Sequence, residues 1–115
     1  LLLTGDIDAE TENLLLASGL QLDVDWLLVP HHGSRSSSSP ALLNHLMPRQ
    51  AIIASGYQNA FGHPSAIVVK RYQARNIDLL NTATSGSAVY RASVDGVVLV
   101  AEALPLQTRF WQYPR

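Results

Sequence analysis

The sequence contains no cysteine. That excludes a disulfide framework and any thiolate metal centre, so a metal would have to be held by His, Asp or Glu. Net charge is also nearly absent: 8 Lys and Arg against 9 Asp and Glu give a formal charge of −1. No global basic field draws in nucleic acid, although a local patch is compatible with that balance. There is no apolar run near the roughly 20 residues that cross a bilayer. No secretory leader is visible, because the first residues lead straight into a polar turn. A Ser/His/Asp triad, a P-loop, a Rossmann glycine fingerprint and internal repeats are missing too.

What remains is a chain of 115 residues, 47% of them hydrophobic, which fits one small globular domain. It opens Leu1-Leu2-Leu3 without Met, as a piece of a longer protein would, with its first residues already in a strand. The pattern predicts a strand over 1–4, then a helix capped by Asp8, with Glu10 and Glu12 in its acid-favouring first turn and Gly19 as its stop. A second strand over 26–29 ends at Pro30. A polar loop leads to Ser39, an N-cap with Pro40 at the first helical position, and Pro48 ends that helix. A third strand spans 50–55. After a loop over 56–63, Pro64 opens a third helix whose apolar stripe is Ile67, Val68 and Tyr72, with Asn76 at its end. A fourth strand covers 77–80 and a turn region 81–86. An antiparallel pair over 88–91 and 97–101 follows around Asp95-Gly96. Residues 104–115 form a tail without a clear period.

This β-α-β-α-β-α-β order, followed by a hairpin, predicts an α/β fold with a mainly parallel sheet. In such sheets the loops leaving the strands' C-terminal ends share one edge, where ligands bind. Three of those loops carry Asp6, then His31 and His32, then His63. Topology alone therefore gathers them. Each has a bland reading beside the functional one. Asp6 is a turn or cap carboxylate, or a metal ligand at a strand end. The adjacent His31 and His32 are solvated loop residues, or ligands. His63 is an N-cap-like residue before Pro64, or part of the site. Ser34, Ser36, Ser37 and Ser38 are loop and capping residues whose hydroxyls and amides can also hold a phosphate. His45 reads as a surface histidine. Lys70, Arg71 and Arg75 read as a solvated helix face.

Leu2-Leu3-Thr4-Gly5-Asp6, then Val29-Pro30-His31-His32-Gly33-Ser34, then Asn59-Ala60-Phe61-Gly62-His63-Pro64 together resemble the metallo-β-lactamase-type domain of ComEC proteins, the DNA-uptake channels of competent bacteria. The likeness extends through Tyr90-Arg91 and the Asp95-Gly96 hairpin. It implies the second half of an αββα sandwich, with residues 1–103 as that half and 104–115 as a C-terminal tail. It implies a two-metal hydrolase, a nuclease acting on incoming DNA, with zinc or manganese. Asp6 takes the role of the metal-bridging carboxylate. By register His32 is the metal-ligating histidine, with His31 the second choice. His63 matches a histidine that contacts the substrate phosphate or lies next to the metals, and Ser34, from the serine loop above, is the other catalytic candidate. The parent protein would sit in the bacterial inner membrane, with this segment outside the bilayer. Its partners would be DNA and the rest of the ComEC chain.

The family's main metal motif, of the His-x-His-x-Asp-His kind, is not in this sequence. Asp6 and His32 are too few ligands for a closed or catalytic site. The isolated chain is therefore expected to bind metal weakly or not at all and to lack hydrolase activity. Half of a sandwich also exposes the face that meets the other half. Either homodimerisation through that face, or cover from the tail around Phe110, Trp111 and Tyr113, is expected. The alternative function is a structural or DNA-binding module of the transport protein without catalysis.

Overall fold

The computed structural model describes residues 1–103, with side chains described through residue 100. The elements run β1 (Leu2–Leu3), α1 (Ala9–Ala17), β2 (Trp26–Leu28), α2 (Pro40–Leu46), β3 (Gln50–Ile53), α3 (Ala66–Gln73), β4 (Asp78–Asn81), α4 (Thr82–Ser85), β5 (Ser87–Ser93) and β6 (Gly96–Ala103). Strands β1 to β4 form one parallel sheet in that spatial order, and β5 and β6 form a separate antiparallel pair. No helix among the described residues is long and apolar enough to cross a membrane.

Each crossover steps one strand further in the same direction. Right-handed βαβ connections then force α1, α2 and α3 onto one face of the sheet. The register agrees. Leu2, Leu27, Ala51 and Leu79 pair side by side and face the helices. They pack with Leu42, Leu43, Leu46, Val68 and Tyr72 into a single core. The opposite face carries Leu3, Leu28, Ile52 and Leu80, again in register. The hairpin reaches part of that face, where the rings of Trp26 and Tyr90 meet edge to face at 3.9 Å. Trp26 and Ile52 are buried, whereas Leu1 and Leu3 on the β1 side stay exposed.

Several local expectations need correction. The third helix does not open at Pro64. Ser65 occupies the N-cap position and its N–H donates to the Gly33 carbonyl at 2.9 Å, so the chain is tethered there before the helix starts at Ala66. The fourth strand begins one residue late because the Ile77 N–H donates back to the Tyr72 carbonyl at 3.2 Å, and only the Asp78 N–H reaches across, to the Arg49 carbonyl. The expected turn over 81–86 contains the single helical turn α4, capped by the Asn81 side chain, which accepts from the Ala83 N–H. The hairpin strands are longer than predicted and carry a bulge between Val89 and Tyr90. The tail expected to cover the sheet lies outside the described residues.

Candidate metal-edge site

The three loops predicted to converge do so, and backbone bonds hold them. Gly5, at φ 62°, turns the chain after β1, and its carbonyl accepts from the His31 N–H at 2.9 Å. Thr4 Oγ1 donates to the Leu28 carbonyl at 3.2 Å. After β2 the chain enters a short 3-10 turn, Pro30–Gly33, in which His31 (φ 49°) and His32 (φ 54°) are both left-handed. Histidine tolerates that region better than most residues, but two in succession store strain of order 1 kcal/mol each. Gly33 continues the run at φ 81°. A Cβ there would lie 2.7 Å from Pro64 Cβ, so only glycine lets this turn dock on the third loop. The His63–Pro64 peptide is cis.

This frame brings Asp6 and His32 together. His32 Nε2 lies 3.5 Å from Asp6 Oδ1, with both side chains more than half exposed. The other ring nitrogen, Nδ1, is 2.7 Å from the Ala54 carbonyl oxygen. A carbonyl only accepts, so Nδ1 carries a proton, and Nε2 is left to face the Asp6 carboxylate. Nε2 and the carboxylate oxygen face each other across a gap that a proton or a metal cation would bridge. Ligating histidines are characteristically oriented this way, by a carbonyl on the far nitrogen. Two ligands of one tetrahedral zinc, each with a bond of about 2.1 Å, stand about 3.4 Å apart. Asp6 and His32 therefore fit as two ligands of one divalent cation. Among the described residues no group of three or more His, Asp or Glu could hold a metal ion.

His31 is half-buried, and its ring centre lies 6.4 Å from that of His32 and 6.0 Å from that of His63. Its Nδ1 is buried with no hydrogen-bond partner, so His31 keeps an unspent donor or acceptor beside the preferred ligand. His63 is held through its backbone. Asn59 Oδ1 accepts from its N–H at 2.9 Å, and Asn59 Nδ2 donates to its carbonyl at 2.5 Å. The ring of His63 sits between His31 and Phe61. Ser34 Oγ instead pairs with Ser36 Oγ at 3.1 Å, within its own loop. A cavity of about 220 Å³ beside this edge is lined by His32, Ala54, Ser55, Gly56, Asn59, Phe61 and His63. A larger hollow of about 380 Å³ lies at the strands' starting ends, near Trp26, Gln50 and Asp78, and contains no histidine.

Two readings of the surrounding loop are overturned. Ser37 and Ser38 are buried, not loose loop residues. The amides of Ser38 and Ser39, at the mouth of α2, donate to Glu12 Oε1 at 2.5 Å and Oε2 at 2.8 Å. The anion at that helix start is the protein's own carboxylate, which leaves no room there for the phosphate considered from sequence. Ser37 Oγ donates to the Pro30 carbonyl at 2.8 Å, so the same loop braces the His31-His32 turn. Nor are Arg71 and Arg75 a solvated face. Arg71 Nη1 donates to the carbonyls of Ser37 and Ser38, both at 3.1 Å, and Arg75 Nε donates to Asn44 Oδ1 at 2.8 Å. Glu12 was the residue most easily missed. Its spacing from Leu15 and Leu16, three and four residues on, was the available sign that it faces inward.

No protein-family profile matches the chain. Individual relatives do. Over 113 residues it is 39% identical to the competence protein ComA of Neisseria gonorrhoeae, covering 97% of this chain and 16% of that protein. It is 34% identical over 90 residues to ComE operon protein 3 of Bacillus subtilis, covering 78% of this chain and 12% of that one. It belongs with the ComEC-type competence proteins. Recombination protein 2 of Haemophilus influenzae is a further ComEC-type relative, 40% identical over 85 residues, which are 74% of this chain and 10% of that protein. The ComEC-type chain thus spans about a tenth to a sixth of the length of these curated relatives.

Proposed function

We propose that residues 1–103 are the C-terminal half of a metallo-β-lactamase-type αββα sandwich. In this reading they contribute part of a two-metal phosphodiesterase site acting on DNA during competence. The observation that carries the proposal is the Asp6–His32 pair at 3.5 Å, with His32 oriented by the Ala54 carbonyl, at the ligand-binding edge of a parallel sheet. The relatives' names, competence proteins and a recombination protein, supply the DNA context.

Asp6 would bridge and His32 would ligate through Nε2, with His31 held in reserve by its unpartnered nitrogen. Zinc or manganese would supply a water of lowered pKa and a clamp on the phosphoryl oxygens. His63, beside His31, would contact the substrate phosphate, with Ser34 in the neighbouring turn the second candidate for that contact. The remaining ligands would come from an upstream His-x-His-x-Asp-His segment. The chain would act outside the bilayer as part of an inner-membrane protein, with residues 104–115 as a tail. In the full-length protein, Asp6→Ala and His32→Ala should each reduce divalent-metal-dependent nuclease activity by 100-fold or more, read on labelled DNA. Undiminished activity in both variants would remove the assignment.

A second reading draws on the lack of a three-ligand group among the described residues. In it, the domain is a structural or DNA-binding module without catalysis. An upstream metal motif that is degenerate, or a full-length protein that binds DNA without cleaving it under zinc and manganese, would favour this reading.

A further inference from the structure

Phe61 is 83% exposed, on the loop between β3 and α3. Single exposed apolar residues are ordinary and need no explanation. This one is different in three respects. Its ring stacks on His63 with centres 5.8 Å apart and planes 19° from parallel, within the offset-stacked range. The loop that presents it is braced from inside, since Asn59 bonds Gly56 and both backbone groups of His63. Finally, Phe61 lines the same cavity of about 220 Å³ as His32, whose other nitrogen faces Asp6. A rigid aromatic face, open to solvent, therefore stands beside the ligand edge, with polar groups of Ser55 and Asn59 next to it.

We propose that Phe61, backed by His63, is a stacking platform for an unpaired nucleobase of a single-stranded nucleic acid whose backbone passes the Asp6–His32 edge. The proposal rests on the phosphodiester reading above and names the form of substrate that site takes. An aromatic face is sequence-tolerant, because every base has a π-face, and it requires the base to be unstacked from its neighbours. A duplex does not offer that face. The cavity is smaller than the pockets that enclose drug-sized ligands, as a site for one flat base should be. Arg71 and Arg75, which would be the natural electrostatic partners of a strand on α3, are committed to the serine loop and to Asn44. Lys70 stays exposed on the same helix, so charge and stacking would share the grip.

The test is equilibrium binding of the 115-residue chain to a fluorescein-labelled oligothymidylate, in EDTA, by fluorescence anisotropy. An abasic strand of equal length and a duplex are the comparison probes. Phe61→Ala should weaken oligothymidylate binding roughly 5- to 100-fold, the usual worth of one stacked base. It should leave binding to the abasic strand and the duplex unchanged, and Phe61→Tyr should restore it. The thermal midpoint of Phe61→Ala should match that of the parent, since the ring is exposed. Equal affinity of parent and Phe61→Ala for oligothymidylate, or absence of oligothymidylate binding by the parent, overturns the proposal. So does a parent that prefers the abasic strand or the duplex. Because metal is absent throughout, the result is separable from the metal reading. Phe61-dependent binding by a protein in which Asp6→Ala has no effect on full-length nuclease activity would retain the platform and discard the ligand assignment.

Discussion

Glu12 lies in α1 at a position where the helix dipole alone would favour an acid. The dipole is not why it matters. Its carboxylate is fully buried and accepts the Ser38 and Ser39 amides, and through Ser37 and Pro30 that loop supports the His31-His32 turn. Glu12→Ala leaves two buried amides without an acceptor, at roughly 1–3 kcal/mol each. It should lower stability by about 3 kcal/mol or more in denaturant unfolding, and Glu12→Gln, which keeps an acceptor oxygen, by less. Tyr72 shares this buried cluster, its hydroxyl 3.0 Å from Ser38 Oγ. Burial pushes its phenol well above the ordinary value, the Ser38 hydrogen bond partly opposes that, and Glu12 adds a smaller push upward. The folded protein therefore holds this proton more tightly than the unfolded chain, whose phenol titrates near pH 10. The stability contribution is complete below about pH 10 and declines as pH rises beyond it. Unfolding free energies measured from pH 8 to 11.5 should fall above pH 10, and less steeply in Tyr72→Phe. At this scale the sequence was least legible. The spacing of Glu12 from Leu15 and Leu16 hints that it faces inward, but nothing local to Glu12, Arg71 or Ser38 names the partner, because each bond spans 26 to 34 residues.

Elements were read better where punctuation is chemical. Asp8 caps α1 by accepting from the Thr11 amide and hydroxyl, both at 3.1 Å, and Ser39 caps α2 in the same way. Those contacts are local, so residue type and spacing suffice to place them. Pro64 misled because proline at a first helical position and proline in a preceding loop look alike in sequence. What separates them is the docking of Gly33 on Pro64, a contact between distant segments. Gly33→Ala combines a left-handed φ of 81° with a Cβ 2.7 Å from Pro64 Cβ. It should cost about 2 kcal/mol or more, of which roughly 1 is backbone. It should also separate the two histidine loops. A thermal midpoint unchanged in that variant would contradict the docking. The convergence of Asp6, His32 and His63 was legible because it follows from strand order, whereas the left-handed conformation of His31 and His32 was not, since neither is glycine.

Among the described residues the molecule is one-sided. Three helices cover one face of the sheet, and the hairpin covers only part of the other, leaving Leu1 and Leu3 exposed along with Val89, Val98 and Val100 on the hairpin. Apolar surface of this kind drives association. Sedimentation velocity should show concentration-dependent self-association of the isolated chain, reduced by Leu3→Lys or Val98→Lys. A monomer at all concentrations would count against it. With two ligand donors in reach of one cation, isothermal titration with zinc or manganese should show only weak binding. A stoichiometric sub-micromolar site formed within one chain would overturn that expectation.

The strand order has one more consequence, which concerns time. Each strand of the parallel sheet pairs with its predecessor in the chain, and Asp6, His32 and His63 all precede β4 and the hairpin. As the polypeptide leaves the ribosome, the edge that bears the candidate ligands can close while the hairpin is still inside the exit tunnel. The hairpin is then laid over Trp26, while Asn81 and Thr82, just before it, fix Ser55 beside that edge. A chain truncated after α4, at residue 86, should already bring the three loops together, as crosslinking between cysteines placed at Asp6 and His63 would show.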